Sequence, residues 1–291
     1  MQFTPLTQDQ RQAFEQDGFL VVADALSPDR VERLLKVVER LYQEGLAEEG
    51  LNERDYWQRR NCLVRDDLFL ELLDCPATVP LVAQLLGPNI QLITSHLIVR
   101  PPSPPATGTT YKQSGWHRDG GTAPSDLDGN PPRLFIKVSY WLTDLSEKGR
   151  GAIRLVPGSN NLLERPPEME DGDLENAIEI QVKPGTAVLF ENRTFHAVGP
   201  NLSDITRKSL FFGYGYRWLR PMDYITMPQE LLQRCDPIRR QLLGDCSSAM
   251  GFQLPEADEV PLRPWLQQHT GQVVYRQQEL PGTFAVTADK Q

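Results

Sequence analysis

The sequence predicts a mainly β protein, a sandwich or barrel with helices on its flanks. Two observations predict it. From residue 90 onward, six segments rich in β-branched and aromatic residues (90–99, 135–142, 152–156, 178–182, 187–190 and 209–218) are separated by clusters of Gly, Pro, Asn and Asp, which is the spacing of an all-β fold. No long helical pattern lies between these segments, and a parallel α/β sheet would need one at each crossover.

Helical periodicity gathers ahead of residue 90. Thr7 stands as a capping residue before Phe14, and Gly18 closes a first short helix. Phe19-Leu20-Val21-Val22 reads as a strand. Ser27-Pro28-Asp29 opens a second helix, with a capping serine and a proline at its first position. Val31, Leu34, Leu35, Val38, Leu41 and Tyr42 then recur at helical spacing, so this helix buries one face, and Gly45 and Gly50 mark its fraying end. A third helix is expected over 76–86, ended by Gly87-Pro88. Region 100–133 is poor in strands and holds Pro101, Pro102, Pro104, Pro105, Pro124, Pro131 and Pro132. Long loops over a barrel mouth are expected there, of the kind that serve as lids or binding loops. After Trp218 the chain turns Pro- and Gln-rich, with a helical piece near 229–243 that is expected to pack on the barrel. The organisation predicted is a single catalytic domain over 1–291: N-terminal helices 1–89, a β-barrel core 90–218 and a C-terminal extension 219–291.

Composition narrows the function. A net charge of −9 over 291 residues argues against a nucleic-acid partner, because a phosphate backbone would be repelled. Cys62, Cys75, Cys235 and Cys246 form no Cys-x-x-Cys pair, and the N-terminus has no basic region followed by an apolar run. No apolar stretch approaches the ~20 residues that cross a bilayer. Free thiols in a reducing compartment, and a cytoplasmic location, are expected.

The chemistry centres on Ser114-Gly115-Trp116-His117-Arg118-Asp119 and on His196, far downstream. Residues i and i+2 of a strand share a face, so His117 and Asp119 can both point into a barrel. His196 follows the strand at 187–190 and can supply a third ligand. Two imidazoles and one carboxylate on one face of a metal leave the opposite positions open, the arrangement of non-haem iron oxygenases. A hydrogen-bonded surface pair is the competing reading of an isolated His-x-Asp. Eleven residues after His196, Arg207-Lys208-Ser209 leads into a strand, and its guanidinium fork and hydroxyl suit the far carboxylate of a dicarboxylate. The competing reading is a solvated Arg-Lys pair at a strand start.

These motifs together resemble the phytanoyl-CoA dioxygenase family of iron(II)- and 2-oxoglutarate-dependent oxygenases. The likeness runs over roughly 10–217: Phe14 to Val22 with the Ser-Pro-Asp helix start, His117-x-Asp119, Tyr140-Trp141-Leu142-Thr143-Asp144, Gly149-Arg150-Gly151-Ala152, and Leu155-Val156-Pro157-Gly158-Ser159-Asn160. Pro184-Gly185-Thr186, His196, Asn201 and Arg207 complete it. Asn160 departs from the family's usual histidine. The resemblance implies a double-stranded β-helix, the jelly-roll or cupin-like barrel, with Fe(II) on His117, Asp119 and His196. It implies 2-oxoglutarate as cosubstrate, its C5 carboxylate on Arg207 with Ser209 nearby, and O₂ as the oxidant. His96 and Asn201 sit where the family often places cosubstrate-pocket residues; a structural histidine and a turn asparagine are the alternatives. Asp119 favours hydroxylation or a related oxidation over halogenation, because halogenating relatives lack the carboxylate.

The expected partner is a small molecule. Tyr111, Lys112, Gln113, Trp116, Arg118, Lys137 and Tyr140 are the candidate lining residues, and Lys112, Arg118 and Lys137 suit a carboxylated or anionic substrate. Two other readings stay open: a non-catalytic cupin-like binding protein, and a zinc hydrolase on the same three ligands.

Overall fold

A computed structural model describes residues 1–103, 111–119, 132–253, 255 and 257–271. Gly120, Gly121, Pro104, Pro105, Pro124, Pro131 and the last 20 residues of the C-terminal extension lie outside the described residues.

Helix α1 (Gln8–Asp17) starts at a capping box: Thr7 accepts from the Gln10 backbone while the Gln10 side chain reaches back to the Thr7 N–H. Gly18 ends it at φ +80°, a region that disfavours a side chain. A Cβ on Gly18 would also come within 2.2 Å of Thr194 Oγ1, so the helix end lies directly on the segment that carries His196. Strand β1 (Phe19–Val22) leads to α2 (Pro28–Glu49), capped by Ser27. This helix runs straight through Gly45 to Gly50. Gly45 is a packing position rather than an end: its missing Cβ would fall 2.3 Å from the Trp57 indole. Strand β2 (Trp57–Arg60), the short α3 (Asp67–Leu70) and α4 (Val79–Leu86) follow.

The strands are β3 (Ile90–Arg100), β4 (Phe135–Trp141), β5 (Ile153–Leu155), β6 (Ile178–Glu179), β7 (Ala187–Glu191), β8 (His196–Val198) and β9 (Arg207–Tyr216). The large antiparallel sheet has the order β1-β7-β4-β9-β3-β2, and the small one β6-β5-β8. The arrangement is that of a jelly roll with its barrel left open among the described residues.

Strand parity divides the protein into layers. Ile136, Val138 and Tyr140 of β4, with Leu210, Phe212 and Tyr214 of β9, join Leu34, Val38 and Leu41 of α2 in the main core between helices and large sheet. The opposite parity, Trp141, Val188, Phe190 and Phe211, meets Ile153 and Leu155 of the small sheet in a second core. Behind the small sheet, Trp116, Val156, Leu174, Phe195 and Ala197 form a third cluster. The extension past Trp218 forms α5 (Gln229–Gln233), α6 (Pro237–Leu242) and α7 (Leu262–Thr270), and its Leu231, Leu232, Leu242 and Leu266 enter the main core. The single helix expected over 229–243 is split by Asp236-Pro237. Asp236 caps the second piece. No helix of the described residues is long and apolar enough to cross a membrane.

Candidate metal centre

His117 and His196 are joined as an antiparallel bridge, each backbone N–H donating to the other's carbonyl at 3.0 and 2.9 Å. His117 thereby extends the small sheet at β8. Directly opposed residues point to one side of a sheet, and the two rings lie 4.2 Å apart. Asp119, two residues on, faces the same way. Its N–H donates to Asn192 O at 3.0 Å. Ligand atoms of His117, Asp119 and His196 all lie within 4.8 Å of one another. Asp119 Oδ1 is 3.8 Å from His117 Nε2, and Oδ2 is 3.4 Å from His196 Nε2.

Both rings are oriented from behind. His117 Nδ1 donates to Gly115 O at 2.7 Å and His196 Nδ1 to Thr194 O at 3.0 Å. A proton on each Nδ1 leaves each Nε2 lone pair free, as a metal ligand requires. Burial holds the His196 pKa down at about 4, so this imidazole is neutral at ordinary pH. Burial would raise the Asp119 carboxyl, but Lys137, His196 and His117 outweigh it and hold the pKa at about 2. A neutral buried imidazole and an ionised carboxylate are the protonation states that ligate divalent iron, so the donor set fits such an ion.

Arg207 opens β9 on the face of the large sheet that carries Lys137 and Phe211 and looks toward the small sheet. It is fully buried, with Nη1 donating to Gly151 O at 2.9 Å and Nη2 to Ser209 Oγ at 3.4 Å. Its Nε is buried without a partner among the described residues, and no carboxylate there pairs with it. The guanidinium lies 4.9 Å from the Trp141 ring centre, and Phe211 is 6.0 Å away. Arg100 of β3 is its directly opposed neighbour, and like charges across a pair are unfavourable. Burial, then Arg100, pulls the Arg207 pKa down to about 9. A buried cation left without a counter-charge is a seat for an anion. Sequence reasoning missed Arg100. Its signal is only its register with Arg207.

His96 lies on the inner face of β3, with Nε2 2.7 Å from Thr94 Oγ1 and 3.6 Å from buried Asp223. Burial, with Lys137 and Arg60 adding to it, lowers its pKa to about 3. Lys137 projects into the site, its Nζ 2.7 Å from Asp119 Oδ2. Lys112 is exposed beside Gly172, Tyr111 is half-buried, and Gln113 is buried with its amide on Ser114 O and Val198 O.

The structure gives four of the expected site residues other partners. Tyr140 lies on the opposite parity of β4 from Lys137: it is buried in the main core, with its hydroxyl 2.6 Å from Thr78 Oγ1, and does not line the metal site. Arg118 alternates away from His117 and Asp119. It donates to Ser159 O and Leu162 O and stacks 4.3 Å over Phe195. Trp116, of the same parity, packs in the third cluster. Asn201 spends its side chain on the turn, donating to Arg100 O and Ile205 O and accepting from Ser203. In each case the phase of the strand or the demand of nearby backbone decides the direction.

Residues 14–209 match the family model described as phytanoyl-CoA dioxygenase. An ectoine dioxygenase of Bordetella parapertussis is 26% identical over 239 residues, covering 72% of this chain and 75% of that protein. A probable alpha-ketoglutarate-dependent hypophosphite dioxygenase of Stutzerimonas stutzeri is also 26% identical, covering 71% and 77%. Among solved structures, HygX from Streptomyces hygroscopicus, with nickel and 2-oxoglutarate bound, superposes with a TM-score of 0.59 at 18% identity. That likeness covers 75% of this chain and 90% of HygX, and it is a likeness of fold.

Proposed function

The chain belongs to the phytanoyl-CoA dioxygenase family of iron- and 2-oxoglutarate-dependent oxygenases, and on that premise we propose that it oxidises a C–H bond of a small molecule with release of succinate and CO₂. The observation that carries this reading is the buried, uncompensated Arg207, which borders the same layer between the two sheets as the His117, Asp119 and His196 cluster. A metal site and a carboxylate seat together match a cosubstrate that must chelate at one end and be anchored at the other.

His117 and His196 offer Nε2, and Asp119 offers a carboxylate oxygen. Arg207 and Ser209 hold the far carboxylate, with Arg100 adding charge from across the strand pair. Trp141 and Phe211 flank the guanidinium and keep water from it, which strengthens the ion pair. Iron with 2-oxoglutarate and O₂ supplies, when bound, the oxidising power for C–H cleavage. Asp119 favours hydroxylation over halogenation, since it fills the position a halide would take.

The relatives are named for ectoine and hypophosphite, which supports a small-molecule substrate. Of the three cations that suggest an anionic one, Arg118 and Lys137 are committed to internal partners and Lys112 remains exposed. The main core runs from Phe14 to Leu266, which supports one catalytic unit. Four unpaired cysteines support a reducing, cytoplasmic setting.

Anaerobic titration tests the proposal. Fe(II) and 2-oxoglutarate together are expected to produce a visible charge-transfer band that neither gives alone, and Asp119→Ala is expected to lose both the band and succinate formation. Unchanged succinate formation by Asp119→Ala removes the cluster from the reaction. A band-free wild type favours the non-catalytic or zinc readings.

A further inference from the structure

The cation nearest the metal cluster is Lys137, and its position is unexpected. An ammonium beside a divalent-ion site repels the ion, yet Lys137 is almost buried and forms an ion pair at 2.7 Å with Asp119 Oδ2, a buried oxygen for which no hydrogen bond is made among the described residues. The fold builds this contact deliberately. Strand β4 turns Lys137 to the inner face, where its directly opposed neighbours are Phe190 of β7 and Gly213 of β9. Gly213 contributes no side chain, and a Cβ there would lie 3.7 Å from Lys137 Cγ and 2.5 Å from Thr94 Cγ2. The glycine is needed by Thr94 of β3, and the lysine stem passes it at ordinary contact distance. Asn192 ties Asp119 to the segment that leads into β4: its carbonyl accepts from the Asp119 N–H, its side-chain oxygen accepts from Leu134 N, and its amide donates to Pro132 O.

We propose that Lys137 is a positioning residue that occupies one oxygen of Asp119 and leaves only the other for the metal. The inference rests on the oxygenase reading above. Oδ2 is the oxygen nearer His196 Nε2, at 3.4 Å, and Oδ1 lies 3.8 Å from His117 Nε2. Both oxygens therefore border the space between the imidazoles, and an unrestrained carboxylate could give both to an ion. That would take a position the cosubstrate needs, because the facial arrangement works by keeping sites open. With Lys137 on Oδ2, three protein atoms ligate and the remaining positions stay open for 2-oxoglutarate and O₂. The lysine lowers metal affinity to keep that opening.

This role has a signature that ordinary structural support lacks, since cosubstrate affinity falls while metal affinity does not. In Lys137→Met the Mn(II) dissociation constant is expected to stay level or fall, because a repelling charge is gone. Binding of 2-oxoglutarate to the Mn(II) protein, read by calorimetry, is expected to weaken about tenfold, the scale of other groups that orient metal ligands. A crystal of Mn(II)-loaded Lys137→Met is expected to show both Asp119 oxygens on the ion, where wild type shows one. Lys137→Arg, which keeps a donor in place, is expected to restore single-oxygen ligation. One Asp119 oxygen on the ion in Lys137→Met, with unchanged 2-oxoglutarate affinity, overturns the proposal. So does a collapse of Mn(II) binding in that variant, which marks Lys137 as plain support. Loss of the function reading looks different: the wild-type Mn(II) protein then fails to bind 2-oxoglutarate at all.

Discussion

His117 and His196 differ in exposure but share one device, an Nδ1 proton given to a carbonyl two residues earlier. The backbone of each strand segment thus sets the tautomer of its own ring before any metal arrives. Arg207 shows the opposite condition. Its donors face carbonyl, hydroxyl and aromatic rings but no carboxylate among the described residues, so binding an anion relieves a standing cost. Arg207→Ala is expected to weaken 2-oxoglutarate by ~2–5 kcal/mol, the range for removing one partner of a buried charge pair. Arg100→Gln, at the less buried neighbour, is expected to weaken it roughly tenfold, or ~1.4 kcal/mol. KM for 2-oxoglutarate at saturating substrate measures both. Equal KM values in Arg207→Ala and wild type move the anion seat elsewhere. Much of this site was legible in the sequence because i, i+2 spacing is local: His117 and Asp119 share a face on any extended backbone. Tyr140 was not legible, because a period of two says which residues alternate but not which parity looks inward; the outward turn of Arg118 was, since it stands between two residues that share a face.

The first helix is coupled to the site through an ion network. Arg133, just ahead of β4, donates to Glu15 of α1 and to the buried Glu191 at the end of β7, and Arg193 holds Glu191 as well. Asn192, which follows Glu191, ties down Asp119. Hydrogen bonding from Arg133 leads the causes that lower the Glu15 pKa, against a smaller upward push from burial. A carboxylate lowered in the folded state adds stability above its unfolded pKa, near 4.3, and that stability is lost as pH falls through the folded value. Glu15→Gln is therefore expected to reduce the urea midpoint at neutral pH and to converge on wild type as the pH falls through the lowered Glu15 value. An equal loss at neutral and low pH would assign Glu15 a packing role instead. At this scale the capped helices and long strands were legible, since capping boxes and periodic faces are written locally. The short β2 and β8, with four and three residues, were not. They are strands only because β3 and β5 offer them partners. Gly45 misled for a related reason: its neighbour, Trp57, is twelve residues away, and only packing reveals why a side chain is forbidden there.

Across the whole molecule, helices, large sheet and small sheet stack as three layers, and the metal cluster lies on the small sheet where it faces the large one, away from the helical core. Stability and chemistry are thereby separable. Leu34 of α2 is completely buried in the helical core, and Leu34→Ala is expected to cost ~2–5 kcal/mol through lost contacts and a cavity. A lower melting temperature with an unchanged charge-transfer band of the folded protein is the expected result; a lost band would mean that the layers are coupled. The sequence alone determined the β-rich class, the helical flank, the His-x-Asp pair with its distal histidine, and the basic residue that follows. Those are set by periodicity, capping and short spacings, which act within a few residues. Only the tertiary structure decided that His196 bridges to His117, that Arg100 faces Arg207, and that Lys137 reaches Asp119 while Tyr140 turns to the core. Each depends on strand register and on which face is covered by helices, and register is set by partners distant in the chain.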